Sequence, residues 1–143
     1  MVLPWSCVTS PSGVHAARRA AVGVELEDEI HERSDGALSV RRGPRLNAGV
    51  SGETTSGALA RVNWVLTLKP KLVILATGGN DSLRALDPAL TKANIRNLVQ
   101  TFQSAGVPVV LAGMQTVQNL GEEYTNTFRA IYPAVAEEYH LIL

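Results

Sequence analysis

The sequence is poor in several of the features that would assign a function quickly. Cysteine occurs once in 143 residues, as Cys7, so no internal disulfide can form. Cys7 sits in the apolar run 2–8, where it reads as a small buried hydrophobe rather than a reactive thiol. No cluster of Cys and His has metal-ligand spacing, so no metal is expected. Formal net charge is zero, which argues against nucleic acid or an anionic membrane as a partner. The pairs Arg18-Arg19 and Arg41-Arg42 read as solvated surface. No apolar run approaches the roughly 20 residues that span a bilayer. The N-terminus, Met1-Val2-Leu3-Pro4-Trp5, lacks the basic, apolar and small-residue regions of a signal peptide, so a soluble, cytoplasmic chain is expected from the sequence as written. Repeats, low-complexity tracts and linkers are also missing, which leaves one domain over 1–143.

What is present is a globular balance, 45% hydrophobic and 18% charged, arranged as short apolar runs alternating with longer amphipathic ones. Strands are predicted at 2–9, 37–46, 71–77, 107–112 and from 140 onward. Helices are predicted at 16–32, 54–68, 88–105 and 122–139. The third helix has Asp87 as N-cap followed by Pro88, and Pro133 should kink or restart the fourth. The helix at 54–68 places Leu59, Val62, Val65 and Leu66 on one side, with Thr54 or Thr55 as a cap. This βαβαβαβαβ order predicts an α/β fold, a parallel sheet covered on both faces. Ligands of such folds sit beyond the carboxyl ends of the strands.

Three loops at that edge are rich in small and polar residues. They are Thr9-Ser10-Pro11-Ser12-Gly13, then Asn47-Ala48-Gly49-Val50-Ser51-Gly52-Glu53-Thr54-Thr55, then Thr77-Gly78-Gly79-Asn80-Asp81. A glycine lets a backbone N–H approach a ligand closely, and an Asn amide is an uncharged donor. Aimed at one point, the two would form an oxyanion hole for a tetrahedral acyl intermediate. The alternative is that Gly78-Gly79-Asn80-Asp81 is only a tight turn.

The block from Asn47 through Gly52 to Thr55, followed by Gly78-Gly79-Asn80-Asp81 after an apolar strand, resembles the second and third conserved blocks of the SGNH (GDSL-type) hydrolases. More narrowly, it is similar to the bacterial arylesterase and thioesterase I–lysophospholipase branch. Leu111-Ala112-Gly113-Met114 and the Tyr124, Phe128, Ile131, Tyr132, Pro133 pattern fit that branch too. The resemblance is close from Leu46 onward and looser before it. It implies a three-layer, flavodoxin-like fold and ester or thioester hydrolysis of a small-molecule substrate, with a nucleophilic serine and no cofactor. It places the nucleophile at Ser10, although the Gly, Asp and Leu that flank this serine in the family are replaced. It places the oxyanion donors at Gly52 and Asn80, and it gives Ser51 and Glu53 no catalytic part.

The family's fourth element is an Asp-x-x-His pair near the C-terminus, whose His takes the proton from Ser. The sequence as written stops at Leu143, before that segment, and reads as incomplete at its C-terminus. Only three histidines occur. His140 starts the last strand and reads as core or surface, and His15, a few residues beyond Ser10 in the first loop, could approach the site but reads as a loop residue rather than the base. His31 falls in an Asp28-x-x-His31 pattern, late in the first expected helix and so at the opposite edge of the sheet. Impaired hydrolysis is therefore expected of this chain. The alternative is an inactive remnant or an acyl- or ester-binding domain. A flavodoxin-like nucleotide binder is disfavoured, because neither a Walker loop nor a Gly-x-Gly-x-x-Gly turn follows a strand. Acyl-chain length and oligomeric state are not legible.

Overall fold

The computed structural model describes the backbone of residues 21–25, 29–32, 38–41, 45–115 and 120–143, and side chains from residue 46 onward within those spans. The expected first strand at 2–9, with Ser10, Cys7 and His15, lies outside the described residues.

In chain order the elements are β1 (Ala21–Glu25), β2 (Glu29–Glu32), β3 (Leu38–Arg41), β4 (Arg45–Asn47), α1 (Thr55–Ala60), α2 (Val62–Thr67), β5 (Leu72–Ala76), α3 (Gly79–Leu83), α4 (Pro88–Ser104), β6 (Val109–Leu111) and α5 (Glu122–Glu138). A four-stranded sheet runs β4-β1-β5-β6, and β2 and β3 form a separate antiparallel pair. β5 and β6 are parallel, and Ile142 bridges Val110 in parallel on the far side of β6. This is the expected α/β core, with apolar strands of Leu, Val and Ile joined through helices.

The N-terminal part differs from expectation. The segment 16–32 was expected to be a helix, but Ala21–Glu25 and Glu29–Glu32 are strands. β1 runs antiparallel to β5, in register from Ala21 opposite Ala76 to Glu25 opposite Leu72, and antiparallel to β4. The sheet is therefore mixed rather than wholly parallel. Val22 and Val24 flank Gly23, and both β-branched residues and glycine are poor helix formers. Pairing along the whole length of β5 outweighs the weak helical periodicity of that stretch. His31 accordingly sits in β2 opposite Ser39, not on a helix. The expected strand at 37–46 is two shorter strands, β3 and β4.

The helices follow the sequence more closely. Asp87 caps α4, its carboxylate accepting from the Ala89 N–H at 2.8 Å, with Pro88 in the first turn. Thr54 caps α1, accepting from the Gly57 N–H. The helix expected over 54–68 breaks at Arg61, which ends α1 and starts α2. Val62 and Val65 are buried, and Leu59 and Leu66 pack against the core. Pro133 lies inside α5 without ending it. It and Arg129, whose carbonyl loses its donor there, are both solvent-exposed.

One core cluster joins Val73 and Leu75 of β5 to Ile95, Leu98, Val99 and Phe102 of α4 and to Phe128, Tyr132 and Val135 of α5. Ile74, pointing to the other face, is 36% exposed. α4 lies between α1 and α5. This packing fixes the carboxyl end of β5 against the N-terminus of α1, where the second and third loops meet.

Candidate active site

β5 ends at Ala76, and the chain turns at Thr77 and Gly78. Gly78 has φ +101°, and a Cβ there would collide with the Tyr132 hydroxyl. That hydroxyl donates to the Thr77 carbonyl at 2.9 Å. Glycine is therefore required at position 78 on two counts, backbone conformation and space. Burial pushes the Tyr132 phenol well above its ordinary range, with the Asp81 and Tyr124 charges adding to the shift. The expected turn Gly78-Gly79-Asn80-Asp81 is thus a left-handed glycine leading into the short helix α3. α3 turns Asn80, Asp81 and Ser82 inward, and all three are buried.

The second loop arrives from β4. Gly52 has φ +75°, and the Glu53 N–H donates to the Val50 carbonyl at 3.3 Å. Two arginines hold this turn. Arg84, just after α3, donates from Nη2 to the Gly52 carbonyl at 3.0 Å. Arg61 donates to the Glu53 carboxylate from Nε at 2.5 Å and from Nη2 at 2.7 Å. The hydrogen bond with Glu53 raises the pKa of the Arg61 guanidinium, partly offset by burial.

The two loops are joined directly. The Asn80 amide donates from Nδ2 to the Glu53 carbonyl at 2.8 Å. The Asp81 carboxylate accepts from the Thr55 N–H at 2.8 Å and from the Thr55 hydroxyl at 2.5 Å. Thr91 of α4 adds a longer contact from its hydroxyl at 3.4 Å. Asn94 donates to the Thr55 hydroxyl at 3.0 Å and to the Ser56 hydroxyl at 2.9 Å. Asp81 is fully buried, and its charge is met by neutral donors from two helices.

Of the residues singled out in the sequence, the structure therefore brings Gly52 and Asn80 together through Glu53, while Ser10 lies outside the described residues. His140 is exposed, two residues before the bridge that starts alongside β6. That is the amino-terminal edge of the parallel strands, away from the Gly52 and Asn80 loops. Sequence reasoning missed the parts played by Asp81, Thr55, Arg84 and the Glu53–Arg61 pair. Asp81 was visible as the neighbour of Asn80. Nothing local marks Arg61 or Arg84 as partners of a loop so far away in sequence.

The sequence model of the GDSL-like Lipase/Acylhydrolase family matches residues 20–143. The chain belongs to this family. Among its relatives, esterase TesA of Pseudomonas aeruginosa is 39% identical over 94 residues, covering 65% of this chain and 47% of that protein. The thioesterase 1/protease 1/lysophospholipase L1 of Escherichia coli is 34% identical over 99 residues, covering 68% and 48%. The crystal structure of AlinE4, an SGNH-hydrolase family esterase, superposes with a TM-score of 0.67 at 42% identity, covering 68% of this chain and 53% of that one. The chain spans about half the length of the curated relatives it matches. The fold is thus that of the SGNH hydrolases, with an α/β core around β5 and β6.

Proposed function

We propose that this GDSL-family chain carries the oxyanion-binding part of an acyl-ester or thioester hydrolase site, with Ser10 as nucleophile. In this reading the Ser10 hydroxyl attacks the carbonyl carbon of a small-molecule ester. The carbonyl oxygen takes up negative charge as the tetrahedral intermediate forms. The Gly52 backbone N–H and the Asn80 side-chain N–H stabilise that charge, and the alcohol or thiol then leaves. Water repeats the attack on the acyl-enzyme and releases the acid. A histidine, supplied in the family by the Asp-x-x-His segment, would take the Ser10 proton and return it to the departing alkoxide or thiolate. His140, exposed at the far edge of the strands, does not serve.

The observation that carries this reading is the tethering of Asn80. One of its two amide N–H groups is held by the carbonyl of the residue after Gly52, and among the described residues the second has no acceptor and is left for the oxyanion. A donor fixed before substrate arrives costs no reorganisation during reaction. The relatives named as esterase, thioesterase and lysophospholipase support the same chemistry.

Hydrolysis of a short p-nitrophenyl ester by the purified chain tests it, beside Ser10→Ala and Asn80→Ala. Turnover abolished by the first and lowered on the order of 10²–10³-fold by the second is expected. Turnover that survives Ser10→Ala would overturn Ser10 as nucleophile, and rates equal to buffer for all three would leave a ligand-binding site without the base that hydrolysis needs.

A further inference from the structure

We propose that Arg61 is a positioning residue for the oxyanion donors, acting on Asn80 through the Glu53 peptide. The inference rests on the reading of Gly52 and Asn80 given above.

Glu53 is gripped at three points. Its N–H is bonded to Val50, its carbonyl holds the Asn80 amide, and its carboxylate is held by both Nε and Nη2 of Arg61. An ordinary surface ion pair leaves both side chains in water and contributes little. Here the Glu53 side chain is only 7% exposed and that of Arg61 20%, and the planar guanidinium meets the carboxylate with two parallel bonds. The Glu53 side chain runs across α1 to reach Arg61. It passes Gly57, where a Cβ would stand 3.0 Å from the Glu53 Cγ, so the path is open because position 57 has no side chain.

Arg61 sits where α1 ends and α2 begins. Both helices are fixed to the core by Ala58, Val62 and Val65. The fork therefore ties the Glu53 residue, and with it the carbonyl that orients Asn80, to a rigid part of the molecule. Arg84 holds the preceding carbonyl, that of Gly52, from the other side. Misplacing a catalytic donor by about 1 Å costs roughly 10²-fold in rate, so small movements of Glu53 matter.

The test compares Arg61→Gln with Arg61→Lys, which keeps the charge, loses the fork and covers the case in which the glutamine variant does not fold. Two readouts are taken. The first is the pair of Asn80 side-chain amide protons in a ¹⁵N–¹H spectrum, assigned by their loss in Asn80→Ala. In the parent chain they should be well separated, because one is bonded to the Glu53 carbonyl and the other has no acceptor among the described residues. The separation should shrink in Arg61→Gln and less so in Arg61→Lys.

The second readout is ester hydrolysis. In Arg61→Gln, kcat should fall about tenfold to a hundredfold with KM within about twofold. A Glu53→Gln/Arg61→Gln double variant should be no slower than the single one. An Asn80 amide pair unmoved in both Arg61 variants overturns the proposal whatever the rates. Turnover indifferent to Asn80→Ala counts against the functional reading instead, and in a parent chain with no turnover the spectrum alone decides whether Arg61 governs Asn80.

Discussion

The buried carboxylate of Asp81 closes the N-terminus of α1, 26 residues away in sequence, by accepting both the backbone N–H and the hydroxyl of Thr55. The contact does two things. It satisfies a donor that the first turn of a helix cannot satisfy internally, and it fixes the Gly52 loop against the residue next to Asn80. Asp81→Ala would leave both Thr55 donors buried without an acceptor. A loss of about 3 kcal/mol is expected, read from the urea midpoint at constant m-value. A loss under about 1 kcal/mol would show that the network relaxes or admits water.

Gly78 and Tyr132 are a second coupled pair. Gly78→Ala meets both a left-handed backbone and the Tyr132 hydroxyl, and should cost about 3 kcal/mol or more. Tyr132→Phe alone loses the bond to the Thr77 carbonyl, worth about 1 kcal/mol. Combined, the two should cost at least about 1 kcal/mol less than their sum, because the phenylalanine makes room for the new methyl. Strict additivity in a thermal or urea series would disprove the steric account.

The same tyrosine predicts an alkaline limit. Burial, with the charge of Asp81 second, raises the pKa of the Tyr132 phenol above its ordinary value near 10. The half-buried Tyr124 is shifted the same way by burial first and by Asp81 and Asp87 after it. A raised folded-state pKa means that the folded chain keeps a proton the unfolded chain has lost. The stabilisation is therefore complete below about pH 10 and fades as pH rises through the folded-state value. Urea midpoints taken from pH 8 to 11 should fall at the alkaline end, and Tyr132→Phe should flatten that fall. An unchanged slope in the variant would place the effect elsewhere.

Gly57→Ala is a case where local propensity and packing oppose each other. Alanine in place of glycine within a helix ordinarily gains about 1 kcal/mol. The methyl group would press on the Glu53 Cγ at 3.0 Å, so no gain is expected, and the Glu53–Arg61 pair should be displaced. A normal gain in melting temperature would mean that the Glu53 side chain has room to move aside.

Thr77 supplies a prediction of opposite sign. Its hydroxyl is buried and has no hydrogen-bond partner among the described residues. Thr77→Val removes that unpaired group at nearly constant volume and should stabilise the fold by about 1 kcal/mol. A destabilised variant would point to a partner for the hydroxyl.

Much of the central fold was legible in advance for a simple reason. The apolar runs of β5 and β6, the Asp87-Pro88 start of α4 and the Thr54 cap of α1 depend on residues within a turn or two of one another. The family blocks around Gly52 and Asn80 were legible in the same way, as short patterns following strands. The described strands between Ala21 and Arg41 were not. There Val22-Gly23-Val24 carries weak local preference, and the choice between helix and strand fell to the open edge of β5.

By itself, then, the sequence determined the family, the α/β core and the two loops that hold the oxyanion candidates, because each is written in neighbouring residues. Only the tertiary structure decided that β1 lies antiparallel to β5, that α1 yields to α2 at Arg61, that Asp81 seals Thr55, and that Tyr132 excludes a side chain at Gly78. Those choices join residues far apart in the chain. They are made by which groups can be buried together with their polar atoms paired, a condition that local propensity does not contain.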